Sequence, residues 1–87
     1  MAGRLDIRQA LRVFQIVTRH GSRKEHEYHF RGIAASSDFD GYNLTLRDDV
    51  VALNIYFHNK YAFHGGSSGA VERFIDRLKS IDSAEPG

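Results

Sequence analysis

Five histidines stand at positions 20, 26, 29, 58 and 64 of an 87-residue chain that contains no cysteine. Histidine titrates near neutrality, moves protons and ligates metals, so these positions are where acid–base or metal chemistry is sought first. His58 has the most suitable company: the strand pairing argued below brings Asp38 and Asp40 near it, and a carboxylate can orient an imidazole or share a metal with it. No spacing matches a specific metal motif, however, and Asp38 and Asp40 are equally suited to shaping the turn before Gly41 through side-chain to backbone bonds. His20, at a helix C-terminus, and His26 and His64, at strand ends, read as surface residues. No catalytic residue, metal ligand or cofactor is assigned.

A second set of residues is suited to recognition. Glu27, His29, Arg31, Asn43, Thr45, Arg47, Asn54, Tyr56 and His58 fall on one face of the expected sheet, and most of them donate or accept hydrogen bonds. The expected pairing puts His29, Asn43 and Asn54 in one row and Arg31, Gly41 and Tyr56 in the next. The Tyr56 ring would then lie over Gly41 toward the Arg31 guanidinium, a platform for a base, a peptide or an acidic group. Asparagine is depleted in strands, so Asn43 and Asn54 sacrifice local propensity that packing does not explain. The expected binding residues are therefore Arg31, Asn43, Asn54, Tyr56 and His58, extending to Asp38. The plainer account is a solvated face, since one-sided antiparallel sheets are normally polar outside. Ser67 and Ser68, after Gly65-Gly66, could meet an anion with their amide hydrogens, but the segment lacks the Gly-Lys-Ser/Thr of a phosphate loop and suits helix capping better.

The elements that must position these residues follow from periodicity. Ile7, Ala10, Leu11, Phe14 and Val17 recur at helical spacing with Arg8, Arg12 and Gln15 opposite, which predicts an amphipathic helix over 7–19. Asp6 serves as its N-cap, and Arg19, His20 and the flexible Gly21 as its end. Alternation then predicts strands over Glu25 to Ile33, over Tyr42 to Arg47 and over Val51 to Phe57. With Asp48-Asp49 as a two-residue turn, Leu46 faces Val51, Leu44 faces Leu53 and Tyr42 faces Ile55. A three-residue loop at Ala35-Ser36-Ser37 sets Phe30 opposite Tyr42 and Tyr28 opposite Leu44. The mouth of the second hairpin then brings Phe39 to His58 and Asp38 to Asn59. Lys60 to Ser68 reads as a short extended piece, with room for a fourth edge strand, and then a flexible loop. Val71, Phe74, Ile75, Leu78 and Ile81 form the stripe of a last helix over 70–81, and 82–87 should fray.

These elements define an α+β fold of order α-β-β-β-α, a three-stranded antiparallel meander with both helices on its apolar face. The chain is short enough for a single domain over 1–87, with an ordered core about 6–81. Twelve basic and eleven acidic residues give a net charge of +1, too balanced to drive nucleic-acid or membrane binding by bulk electrostatics. Without cysteine, a signal-like N-terminus or a long apolar run, the expected location is the cytoplasm.

The run Asp38-Phe39-Asp40-Gly41-Tyr42, followed by Phe57-His58-Asn59-Lys60-Tyr61, resembles a family of small uncharacterised proteobacterial proteins built on a domain of unknown function. That resemblance spans about Ile7 to Ile81 and implies no activity. The element order is also similar to that of double-stranded-RNA-binding domains, yet Gly66-Ser67-Ser68-Gly69-Ala70-Val71-Glu72 lacks the lysine cluster with which those domains grip phosphates. The expected function is a non-enzymatic binding or adaptor module whose open sheet face or edge strand meets a protein partner or a second copy of itself. An RNA-binding module is the alternative and a His/Asp metal-binding protein the next.

Overall fold

The computed structural model describes residues 5–38, 43–56 and 60–84. Within them the chain runs α1 (Ile7–His20), β1 (Ser22–Lys24), β2 (Glu27–Phe30), β3 (Ile33–Ser37), β4 (Leu44–Arg47), β5 (Ala52–Tyr56), β6 (Lys60–His64) and α2 (Ser68–Ala84). The strands form one antiparallel sheet in sequence order. The α+β class and the flanking helices are as expected, but the described sheet has six strands instead of three.

Three local causes account for the difference. The segment 25–33, expected as one strand, is interrupted by tight turns, with Glu25 at φ 58° and Arg31 and Gly32 at φ 51° and 84°. Two consecutive positive φ values are the mark of a two-residue hairpin turn, which joins β2 to β3 through the Phe30↔Ile33 pair. Ala35-Ser36-Ser37, expected as a loop, belongs to β3, which lies between β2 and β4. Lys60–His64 joins as the edge strand β6, so the expected element order of double-stranded-RNA-binding domains is not that of this chain.

The β4–β5 register also moves by two residues. Leu44 faces Ile55 and Leu46 faces Leu53, because the turn centres on Asp49-Val50. There Asp48 Oδ1 accepts from the amides of Val50 and Val51 at 2.8 and 2.7 Å. A shift of two leaves every side chain on its expected face, and Leu46, Leu53 and Ile55 are buried while Tyr28, Phe30 and Leu44 are partly buried. The expected pairings of Tyr42, Phe39, His58 and Asn59 lie outside the described residues.

Both helices contribute to the core on that face. From α1, Ala10, Val13 and Val17 are fully buried, with Leu11 and Phe14 beside them; from α2, Ala70, Phe74, Ile75, Leu78 and Ile81 are buried. Asp6 caps α1 by accepting from the amides of Arg8 and Gln9 at 3.0 and 3.4 Å. Ser67 caps α2 by accepting from Ala70 at 3.3 Å. Gly21 has an ordinary φ of −80°; its requirement is room, since a Cβ there would lie 2.5 Å from the Val17 carbonyl oxygen and 2.6 Å from that of His29. α2 continues to Ala84, past the expected helix end at 81, and Asp82 accepts from Arg12 Nε and Nη2 at 3.0 and 2.9 Å and from Gln9 Nε2 at 3.1 Å. These bonds tie α1 to α2 and hold the Asp82 carboxyl below the usual carboxylate range, the Arg12 hydrogen bond being the largest cause. No helix among the described residues is long and apolar enough to cross a membrane.

Candidate functional site

With both helices on one side, the other sheet face carries the polar strand residues Glu27, His29, Thr45, Arg47 and Asn54. Strand register orders it into rows. Ser22, His29, Ala34, Arg47, Ala52 and His64 form one. Ser36, Thr45, Asn54 and Ala62 form the next. Tyr56 lies beside Lys60 at the far end, where the Asp38 amide also donates to the Asn43 carbonyl at 3.0 Å.

Hydrogen bonds cross this face between strands. Arg47 Nε and Nη2 donate to the two Glu27 carboxylate oxygens at 2.7 and 2.5 Å, and His29 Nε2 lies 3.4 Å from the same carboxylate. The guanidinium reaches from β4 to β2 because Ala34 is the β3 residue in between, and a methyl group leaves the path open. The pairing with Arg47 is the chief reason that the Glu27 carboxyl is held below its ordinary range. A carboxylate gripped in this bidentate way is an anchor rather than a proton acceptor. Farther along, Thr45 Oγ1 donates to Asn54 Oδ1 at 2.9 Å, and Asn43 Nδ2 donates to Asp38 Oδ2 at 2.7 Å.

The structure therefore divides the expected site. Asp38, Asn43 and Tyr56 gather at one end of the sheet, and Asn54 lies in its middle with its side chain on the same face. Arg31 stands apart, in the β2–β3 turn at the opposite end; β3 between them spans about 13 Å at the usual rise per residue. The expected row of Arg31, Gly41 and Tyr56 is not formed, for Arg31 instead lies across the Phe30 ring at 5.4 Å. His58 and Asp40 lie outside the described residues. Among the described residues no group of three or more His, Asp or Glu is placed to hold a metal ion.

Two features escaped the sequence reading. His64 and Ala62 join the face through β6, and their signal was the alternation of Tyr61 and Phe63. On α2, Arg73 and Arg77 line a groove with Arg31; their spacing of four residues is a detectable sign of a shared helix face.

Comparison with known proteins gives a family but no function. No curated protein matches the chain, and no solved structure matches it. The model of a family described as "Protein of unknown function (DUF3081)" matches residues 5–86. Covering nearly the whole chain, that match places this protein in the DUF3081 family.

Proposed function

We propose that this protein is a non-enzymatic binding module that engages a protein partner, or a second copy of itself, through the open sheet face and the adjoining edge of β6. The supporting observation is the one-sided placement of the helices: no described element covers the opposite face, and β6 has a sheet neighbour only on its β5 side. Tyr56, 39% exposed, stands on the open face, and Tyr61, 41% exposed, lies on the edge strand β6 itself with its ring against Phe63 on the covered side. Aromatic side chains of this kind anchor protein interfaces, and an open strand edge offers backbone donors and acceptors to an added strand.

The recognition residues are Tyr56, Asn54 and Asn43, with Asp38 beside Asn43. The hydrogen bonds from Asn43 to Asp38 and from Thr45 to Asn54 fix the geometry of both amides before contact, which lowers the entropy lost on binding. Light scattering and amide shifts over a concentration series, followed by addition of fractionated lysate protein, test the proposal. Shifts confined to β5, β6 and Asn43 support it. Tyr61→Lys, which places a charge on the edge strand, should then abolish the association and leave the fold intact. A strict monomer whose face resonances respond to no protein fraction would overturn it.

A further inference from the structure

From the arginine groove at the other end of the sheet we infer that the chain carries a second site, one that binds a small soluble phosphomonoester dianion. Arg31, Arg73, Asp76, Arg77, Ser80 and Ile81 line a shallow, open groove of about 480 Å³ between the β2–β3 turn and α2. Three guanidinium groups against one carboxylate leave the lining with an excess of two positive charges. Neither Arg31, Arg73 nor Arg77 forms an ion pair with any described residue. By contrast, Arg12 and Arg47 are each doubly bonded to a carboxylate.

The groove is also partly ordered for an incoming group. Arg77 Nη1 donates to the Arg31 carbonyl at 3.4 Å and crosses Gly32 so closely that a Cβ there would lie 2.6 Å from it. Arg31 holds φ 51° in a turn whose leading position favours Asn, Asp or Gly, and its guanidinium lies over Phe30. An outlier of this kind is a reason to look for function at the place it builds. Arg73 and Arg77, four residues apart on one helix face, repel each other when no anion lies between them.

A phosphomonoester suits this lining better than a carboxylate. It carries nearly two negative charges at neutral pH and three acceptor oxygens that guanidinium forks can grip in pairs. The Ser80 hydroxyl supplies a further donor. Asp76 opposes the anion, so its charge limits the affinity and gives the test a variant of opposite sign.

The experiment is an amide-shift titration of the full chain with inorganic phosphate at constant ionic strength, with acetate as the monoanion control. Saturable shifts at Gly32, Arg73, Arg77 and Ser80 are expected, and acetate should produce none. Arg77→Gln and, separately, Arg73→Gln should each weaken phosphate about tenfold, one charge-assisted contact apiece. Asp76→Asn should tighten it severalfold, and Arg8→Gln, a charge removed from α1, should change nothing. With glycerol 3-phosphate as the probe, binding should also strengthen from pH 5 to pH 7 as the ester's second proton, with its pKa of about 6, is lost. A linear, unsaturated response, equal shifts with acetate, or equal weakening by Arg8→Gln and Arg77→Gln would overturn the site. Glycerol 3-phosphate added free and phosphatidic acid presented in vesicles separate a soluble ester from a lipid headgroup; capture by vesicles alone would refute the soluble form.

Discussion

Two rows of the same sheet, one on each face, are held by opposite physics. On the covered face Tyr28, Ala35, Leu46, Leu53 and Phe63 stand side by side, three of them with no exposed surface. On the open face the neighbouring row is His29, Ala34, Arg47, Ala52 and His64, linked to Glu27 by directional bonds. The first row draws its stability from area removed from water, which tolerates any apolar shape that fills the space. The second depends on which atoms meet, and gains little, because pairs near water are weak. The consequence is a division of labour. The covered face can secure the fold, leaving the open face to be selected for what it presents.

The largest break in that comparison is Leu53→Ala. Leu53 is fully buried between Leu46 and Phe63, and removing its side chain should cost about 2–5 kcal/mol, a large part of the stability of a domain this size. Urea unfolding gives the number, and a loss below about 1 kcal/mol would show that the covered face is not the core.

Ala34 and Ala35 sharpen the comparison from adjacent positions. Ala35→Leu inserts bulk into a fully buried position on the sheet region that α1 packs against and should cost about 1–3 kcal/mol by overpacking. Ala34→Leu obstructs the path from Arg47 to Glu27 and should cost about 1 kcal/mol or less, since an ion pair of that exposure contributes little. Equal costs in parallel urea titrations would mean that the two faces are not held differently.

The alanines also mark where the sequence was illegible. The apolar alternation of Tyr28, Leu44, Leu46, Leu53 and Ile55 exposed the phase of the sheet, and a register error of two residues did not disturb it. The strand Ile33–Ser37 offers no such contrast, because small residues occupy both of its faces. Ala35 is small on the buried side near α1, and Ala34 is small beneath a crossing guanidinium; both reasons are long-range and neither appears in a local pattern. Likewise Gly32 signals a turn, but Arg31 and Glu25 hold positive φ where their residue types do not announce it. The same turn removes Arg31 from the open face, which is why the expected site separates into two ends.

Acid provides a smaller test. Glu27 and Asp82 both have folded-state pKa values below their ordinary ones, chiefly through hydrogen bonds from Arg47 and Arg12 respectively. A carboxylate depressed in the folded state stabilises it fully above the unfolded pKa, about 4, and the contribution is lost as pH falls through the folded value. The urea midpoint should therefore decline below about pH 4. Glu27→Gln should lower the midpoint at pH 7 and reduce the acid-dependent part of the decline. An unchanged pH profile in that variant would show that the Arg47 pair carries no linkage.

The smallest effect on stability is expected at Asn54, and it bears most directly on function. Asn54 lies in a central strand, where its residue type is disfavoured, and accepts one hydrogen bond from the Thr45 hydroxyl. Asn54→Thr restores a β-branched residue and still offers that hydroxyl an oxygen, so the two changes should nearly cancel, within about 0.5 kcal/mol. Combining it with Asn43→Thr removes the amide that donates to Asp38 and leaves the buried face untouched. If the sheet is a binding surface, the double variant keeps its unfolding midpoint while partner or self-association weakens. If association is unchanged, the asparagines are only solvated strand residues. A stability loss of more than about 1 kcal/mol assigns them instead to fold maintenance, and the contrast between the faces then fails at its most exposed point.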